Sequence, residues 1–393
     1  MNLAQKDKKF LGRDIPPMPI EITKAKGSYL YDTKGKKYID FLGGWCVGNV
    51  GWDNKVVKEK VKKYDGPDYV SPRYIFKPRV QLAELLAKIT PGKLVTSFPA
   101  TGGTEAVETA LQAAMSFTGR HKFISVEGSY HGHSIGAMSI GSSHWRKHYK
   151  NLLFHCHKIK PPLDKKAAAK VVKLLKNRDI AAYISEPVVC NLGVEIPTKE
   201  YFSIIQAACK KYGTVLIIDE VATGFGRTGK MFACEHYGLK PDIVTLAKAI
   251  AGGYGVLGAA VMTAPLAKAM TWDFSFYSTF GWHPRNVQAA LANIQYLQKN
   301  KTKLLNNANE LSDYFVKRLS KMPFKYPAEL KIKGLAIGVH FKQNGYAEKV
   351  TMKCLNNGLV FSKLHATKFT FFPALTMSKQ VAKQGLDILE KSL

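Results

Sequence analysis

Residues 214–221 read Thr214-Val215-Leu216-Ile217-Ile218-Asp219-Glu220-Val221, a short apolar run that ends on an acid. A run with no polar alternation describes a strand buried on both faces, as in a parallel sheet covered by helices. A carboxylate at the end of such a strand is costly to bury without a partner. In open α/β sheets the carboxyl ends of the strands line the ligand crevice, so Asp219 is a candidate for holding a protonated ring nitrogen. Taken alone, the same acid reads equally well as a helix cap or a metal ligand.

The pattern of this stretch recurs on either side of it. Similar apolar runs lie at 122–126, 180–185, 243–246 and 257–262, and helical periodicity appears near 80–89, 105–117, 166–176 and 199–212. This alternation predicts an α/β fold with a mainly parallel, helix-covered sheet. Residues 27–43 read as a hairpin turning at Thr33-Lys34-Gly35. After about residue 284, helical patterns lead into a shorter α+β segment with strands near 334–341 and 369–372. The expected layout is a large domain over 51–290, with 1–50 and 291–393 forming a smaller α+β domain.

Two further stretches carry chemistry. Thr101-Gly102-Gly103-Thr104-Glu105-Ala106 follows the apolar stretch LVTSF and opens a helical pattern. Glycines there let backbone N–H groups approach an anion that the helix N-terminus also favours, and Thr104 adds a hydroxyl. An ordinary capped helix start has the same appearance. Lys248 lies in Thr245-Leu246-Ala247-Lys248-Ala249-Ile250-Ala251-Gly252-Gly253, an apolar setting of small residues. A desolvated lysine can attack a carbonyl, although a surface lysine with a buried stem also fits. Gly224-Phe-Gly226-Arg-Thr-Gly229 and Gly253-Tyr-Gly255-Val-Leu-Gly258 imitate a dinucleotide fingerprint but lack its strand–glycine–helix order. A phosphate loop, an acid ending a strand and then a lysine are together what pyridoxal phosphate needs: a phosphate cradle, a ring-nitrogen counter-ion and an imine lysine.

Bulk properties limit the alternatives. A chain of 393 residues that is 46% hydrophobic exceeds one ordinary core. Residues 1–13 are polar and lysine-rich without a signal-type apolar core, and no apolar run is long enough to span a bilayer, so a soluble cytoplasmic protein is expected. Six scattered cysteines without a CxxC pair agree with a reducing compartment. His155-Cys156-His157 is not expected to bind a metal, because neighbours in an extended chain face opposite ways. The 58 Lys+Arg against 29 Asp+Glu are mostly lysine, with Lys166, Lys170, Lys173 and Lys176 spaced as the solvated stripe of a helix. The excess reads as a lysine-biased surface or as attraction for an acidic partner, such as a carrier protein bearing the substrate. Nucleic acid is not expected, since RNP-type aromatics, Cys/His fingers and basic tails are all missing.

From about Gly27 to Pro284 the chain resembles the class III aminotransferases, of the fold-type-I pyridoxal-phosphate family. The resemblance rests on Gly103-Thr104-Glu105-Ala106-Val107-Glu108, Tyr130-His131-Gly132, Ser185-Glu186-Pro187-Val188, the stretch from Asp219 to Gly229, Lys248 and Ser278-Thr279-Phe280-Gly281. It implies that Gly103 and Thr104 hold the phosphate, that Tyr130 and Val221 cover the two ring faces, and that Asp219 pairs with the ring nitrogen. It also implies that Lys248 forms the imine, that Glu186 gates the substrate pocket, and that Thr279 reaches the phosphate of a neighbouring subunit in a homodimer with shared active sites. Gly44-Trp45-Cys46-Val47 resembles the branch using amines and ω-amino acids. Three departures stand out: Ala222 where Gln is frequent, Gly102 where Ser is usual, and Thr370 where amino-acid-using members carry an arginine. The last arginine of the chain is Arg318. The expected reaction moves an amino group from an amine or ω-amino donor to a carbonyl acceptor. An aminomutase, decarboxylase or epimerase on the same scaffold is the nearer rival, and a non-catalytic basic binding protein the more distant one.

Overall fold

The computed structural model describes residues 1–13, 17–270, 277–362 and 365–393. Strands β1 (Ile22–Lys26), β2 (Tyr29–Asp32) and β3 (Lys37–Asp40) form an antiparallel meander. The predicted hairpin is the β2–β3 pair. Asp32 Oδ1 accepts from the N–H groups of Lys34 and Lys36, and Gly35 takes the left-handed φ of +77° that the tight turn requires. β1 was not anticipated; four of its five residues are exposed, so it carries no apolar signal.

The main sheet contains β4 (Leu94–Ala100), β5 (Lys122–Val126), β6 (Cys156–Ile159), β7 (Ile180–Ser185), β8 (Val215–Asp219), β9 (Ile243–Leu246) and β10 (Gly258–Thr263), in the order β4-β10-β9-β8-β7-β5-β6. β10 runs antiparallel to both neighbours, while β6, β5, β7, β8 and β9 pair in parallel. Every residue of β7, β8 and β9 is buried, which is why these strands read as uninterrupted apolar runs. The helix Gly103–Thr118 buries its apolar face against this sheet and ends at Gly119 in the left-handed conformation. On the helix Lys165–Leu175, Ala167, Ala168, Val171 and Leu175 face inward, and Lys166, Lys170, Lys173 and the capping Lys176 are exposed, as their spacing predicts.

The C-terminal part opens with the helices Pro284–Lys299 and Lys301–Leu319. It continues with β11 (Ala328–Lys333), β12 (Ala336–Phe341), β13 (Leu359–Val360) and β14 (Lys368–Phe371). The single strand expected near 334–341 is the second arm of a hairpin with β11, whose charged alternation in AELKIK leaves it half-buried and hides its strand character. Gly334 makes the turn possible: at φ +58°, a Cβ there would lie 2.3 Å from the Thr228 backbone. β14 pairs with β12, and β13 pairs in parallel with β3, so the N- and C-terminal segments share a sheet. Among the described residues no helix is long and apolar enough to cross a membrane.

Candidate active site

Strand order determines which residues meet. β8 and β9 are adjacent and parallel, so their carboxyl ends lie side by side with Asp219 opposite Thr245. Two residues after β9 the chain enters a single turn of 3-10 helix that begins at Lys248. β7 leads into Glu186, β5 into the segment holding Tyr130 and His131, and β4 into Thr101 and Gly102. Asp219, Lys248, Glu186, Tyr130, His131, Thr101 and Gly102 line one cavity of about 440 Å³, a size suited to a cofactor and a small substrate, with Thr245 behind its wall.

Asp219 is 3% exposed, and both of its oxygens are engaged. Oδ1 accepts from Thr245 Oγ1 at 2.9 Å and from the Val221 N–H at 3.0 Å, while Oδ2 lies 2.7 Å from His131 Nδ1. Such a network compensates for burying a carboxylate and fixes the direction in which it points. The buried Nε2 of His131 has no partner among the described residues. Lys248 adopts φ +48°, a left-handed conformation that costs a non-glycine residue roughly 1–2 kcal/mol. Strain of this kind persists where the surroundings impose it and clusters at functional sites.

The helix Gly103–Thr118 starts without a side-chain cap, because Gly102 in the N-cap position has none to offer. Its first turn is therefore open toward the cavity that Thr101, Gly102, Gly103 and Thr104 line. Glu105, in that turn, accepts instead from the Thr101 N–H at 2.6 Å and from Ser278 Oγ at 3.2 Å. Packing is tight at Gly103 and closed at Gly132, whereas Gly102 faces open space. A Cβ on Gly103 would lie 3.1 Å from Val221 Cγ1, and one on Gly132 would lie 2.5 Å from Thr104 Oγ1.

Glu186 is 4% exposed. Its Oε2 accepts from the Cys190 N–H at 3.2 Å, and its Oε1 has no partner among the described residues. Burial, reinforced by the charge of Asp219, pushes its carboxyl well above the usual carboxylate range, against the opposing pull of the Cys190 N–H and Lys248. Among the described residues the cavity has no arginine in its lining, and neither Thr370 nor Lys368 belongs to it. Thr370 is buried in β14, with its Oγ1 unpartnered.

Of the residues singled out in the sequence, Gly103, Thr104, Tyr130, Glu186, Asp219, Val221 and Lys248 all line this cavity. Thr279 does not; it is exposed, and its carbonyl accepts from the Tyr69 hydroxyl at 3.2 Å. His131, Thr245, Cys190 and Asn191 had no assigned role in the sequence. Thr245 becomes visible only once β9 is known to pair with β8 in this register.

The residues fit pyridoxal phosphate. A fixed, buried carboxylate faces the same space as an amine, an uncapped helix start and two side chains, Tyr130 and Val221, able to flank a flat ring. Comparison with known proteins points the same way. The family model described as "Aminotransferase class-III" matches residues 10–393. An acetylornithine aminotransferase from Archaeoglobus fulgidus is 32% identical, over 99% of this chain and 100% of its own length. A putrescine aminotransferase from Pectobacterium atrosepticum is 36% identical, over 92% of this chain and 80% of its own. An amine transaminase from an uncultivated Pseudomonas species, solved with pyridoxal phosphate bound, superposes with a TM-score of 0.87 at 26% identity, covering 98% of this chain and 97% of that one.

Proposed function

The chain belongs to the class III aminotransferases, and from that premise we propose how its residues carry out amino transfer and which donor they accept. Pyridoxal phosphate, the cofactor of this family, supplies a ring that takes up the negative charge left when the donor carbon loses its proton. Gly103, Thr104 and the open helix start hold its phosphate, and Tyr130 and Val221 hold its two faces. Asp219 keeps the ring nitrogen charged, and the hydrogen bonds from Thr245, Val221 and His131 keep Asp219 in place. Lys248 would supply the amine that anchors the cofactor, and the same nitrogen would take the proton from the donor carbon and later return one, as base and then acid.

The donor reading rests on one observation, the buried Glu186 carboxyl with an unpartnered oxygen in a cavity without arginine. A substrate carboxylate would lack a bidentate partner there and would meet an acid instead. An ammonium or amine end of the substrate would draw out the charge that burial suppresses on Glu186. The preferred donor is therefore a primary amine or ω-amino compound whose reacting carbon bears no carboxylate. The relative named for putrescine takes, by its name, a donor of this kind. Paired single-turnover assays should show a terminal amine aminating the cofactor at least about tenfold faster than its α-amino-acid counterpart, about 1.4 kcal/mol in the transition state. Glu186→Gln should shrink that difference. A tenfold preference for the α-amino acid would overturn the reading.

The assembly is proposed to be a homodimer in which Thr279 serves the partner's phosphate site. Support comes from the exposure of Thr279 and from exposed apolar residues nearby, including Tyr277 and Phe280. Light scattering should give twice the chain mass, and Thr279→Ala should weaken cofactor affinity. A monomer of full activity would contradict this. Unpaired thiols at all six cysteines support a cytoplasmic location. The β3–β13 pairing supports treating 1–50 and 291–393 as one small domain beside 51–290.

A further inference from the structure

Two thiols behind the cavity wall have a chemistry that amino transfer does not use. Cys46 ends the run Gly43, Gly44, Trp45, Cys46, which is held throughout in the left-handed region at φ +57°, +60°, +61° and +65°. Cys190 lies in the turn after β7, where its N–H holds Glu186. Both side chains pack in one small buried cluster with Val188, Val194, Ala222 and Phe372, and the Cys190 thiol acts on the Cys46 sulfur as a hydrogen-bonding neighbour. The two residues are 1% and 4% exposed, and Cys190 lines the cavity together with Trp45 and Val47, the sequence neighbours of Cys46.

A buried cation accompanies the pair. Arg227 is fully buried and donates to the carbonyls of Leu335 and Pro373 and to Asn49 Oδ1, all neutral acceptors, and its Nε has no partner among the described residues. A guanidinium in such a position favours a nearby anion. The carboxylate of Asp40 is taken up by other donors: the Leu42 and Gly43 N–H groups and Trp52 Nε1. Burial raises the Cys46 thiol, but the hydrogen bond from Cys190 and the charges of Arg227 and Lys248 outweigh it and bring the thiol down to about 7. Cys190 moves up, first through that same hydrogen bond, while Cys156, Cys209, Cys234 and Cys354 are pushed up by burial. The fold thus places two thiols in one buried cluster, and a lowered pKa on Cys46 suits it to attack while Cys190 resolves.

We propose that Cys46 and Cys190 form a reversible oxidation site that hydroperoxides close into a disulfide, shutting the substrate pocket. The Cys46 sulfur attacks one peroxide oxygen, the O–O bond breaks and hydroxide leaves, giving a sulfenic acid oxidised by two electrons. The Cys190 sulfur then attacks that sulfur. The S–S bond forms as the S–O bond breaks, and the oxygen departs with the Cys190 proton as water. Overall, two thiols and one hydrogen peroxide give one disulfide and two waters. The link would tie the Trp45 segment to the turn that holds Glu186, fixing two walls of the cavity against each other.

The test treats the holoenzyme with hydrogen peroxide, alkylates the remaining thiols after denaturation, and maps the peptides by mass spectrometry. The expected product is lighter by two hydrogens and carries a Cys46–Cys190 linked peptide, with the other cysteines alkylated. Turnover should fall at least about tenfold, and dithiothreitol should restore both mass and rate. In Cys190→Ser, oxidation should stop at a Cys46 sulfenic acid that dimedone traps. Because the link is read by mass, it does not depend on the assigned reaction, and the wild-type map decides even if the variant does not fold. Both thiols recovered free, another cysteine oxidised first, or a link formed with turnover unchanged would each overturn the proposal.

Discussion

Replacing Lys248 by alanine is expected to abolish measurable turnover. General acid–base groups typically contribute about 10²–10⁴-fold, and on the proposed role this variant also loses the covalent attachment of the cofactor. Among the residues lining the cavity, Lys248 offers the one primary amine. Its left-handed backbone turns it into that space directly after β9. The cofactor should still bind through the helix start at Gly103 and through Asp219, so spectroscopic titration should register binding while transfer is lost. Turnover within tenfold of the parent would mean that another residue moves the proton.

Replacing Asp219 by asparagine should slow proton abstraction by at least about 10²-fold, the scale seen when one electrostatic stabiliser of developing charge is removed. The substitution is nearly isosteric. An amide oxygen can still accept from the Val221 N–H and Thr245 Oγ1, and the amide NH₂ can face His131 Nδ1 in its other tautomer. The network should therefore survive, and cofactor affinity should fall much less than the rate. What disappears is the negative charge proposed to keep a ring nitrogen protonated. Single-turnover kinetics with a deuterated donor isolate this step. An unchanged abstraction rate would make Asp219 a purely structural acid.

The sequence disclosed what depends on short stretches. The runs 180–185 and 243–246 announced strands, because residues buried on both faces need no polar alternation. Asp219 and Lys248 stood out because a charged residue in apolar surroundings calls for a reason. β1 and β11 stayed hidden since half-exposed edge strands rich in lysine resemble loops or helix faces. The partners of Asp219 depend on distances along the fold: His131 lies 88 positions away and Thr245 lies 26. No local pattern links them, and only the parallel pairing of β8 with β9 brings Thr245 beside the acid. The Cys46–Cys190 pair is equally non-local, joining the N-terminal segment to the turn after β7.

The central claim is that Lys248 anchors the cofactor in the cavity shared with Asp219 and the open helix start. Borohydride reduction of the cofactor-loaded enzyme followed by peptide mapping tests it most directly. A pyridoxyl group fixed on the peptide containing Lys248, and missing from Lys248→Ala, is the predicted result. A label on any other lysine, or no label on a protein that binds the cofactor, would contradict it.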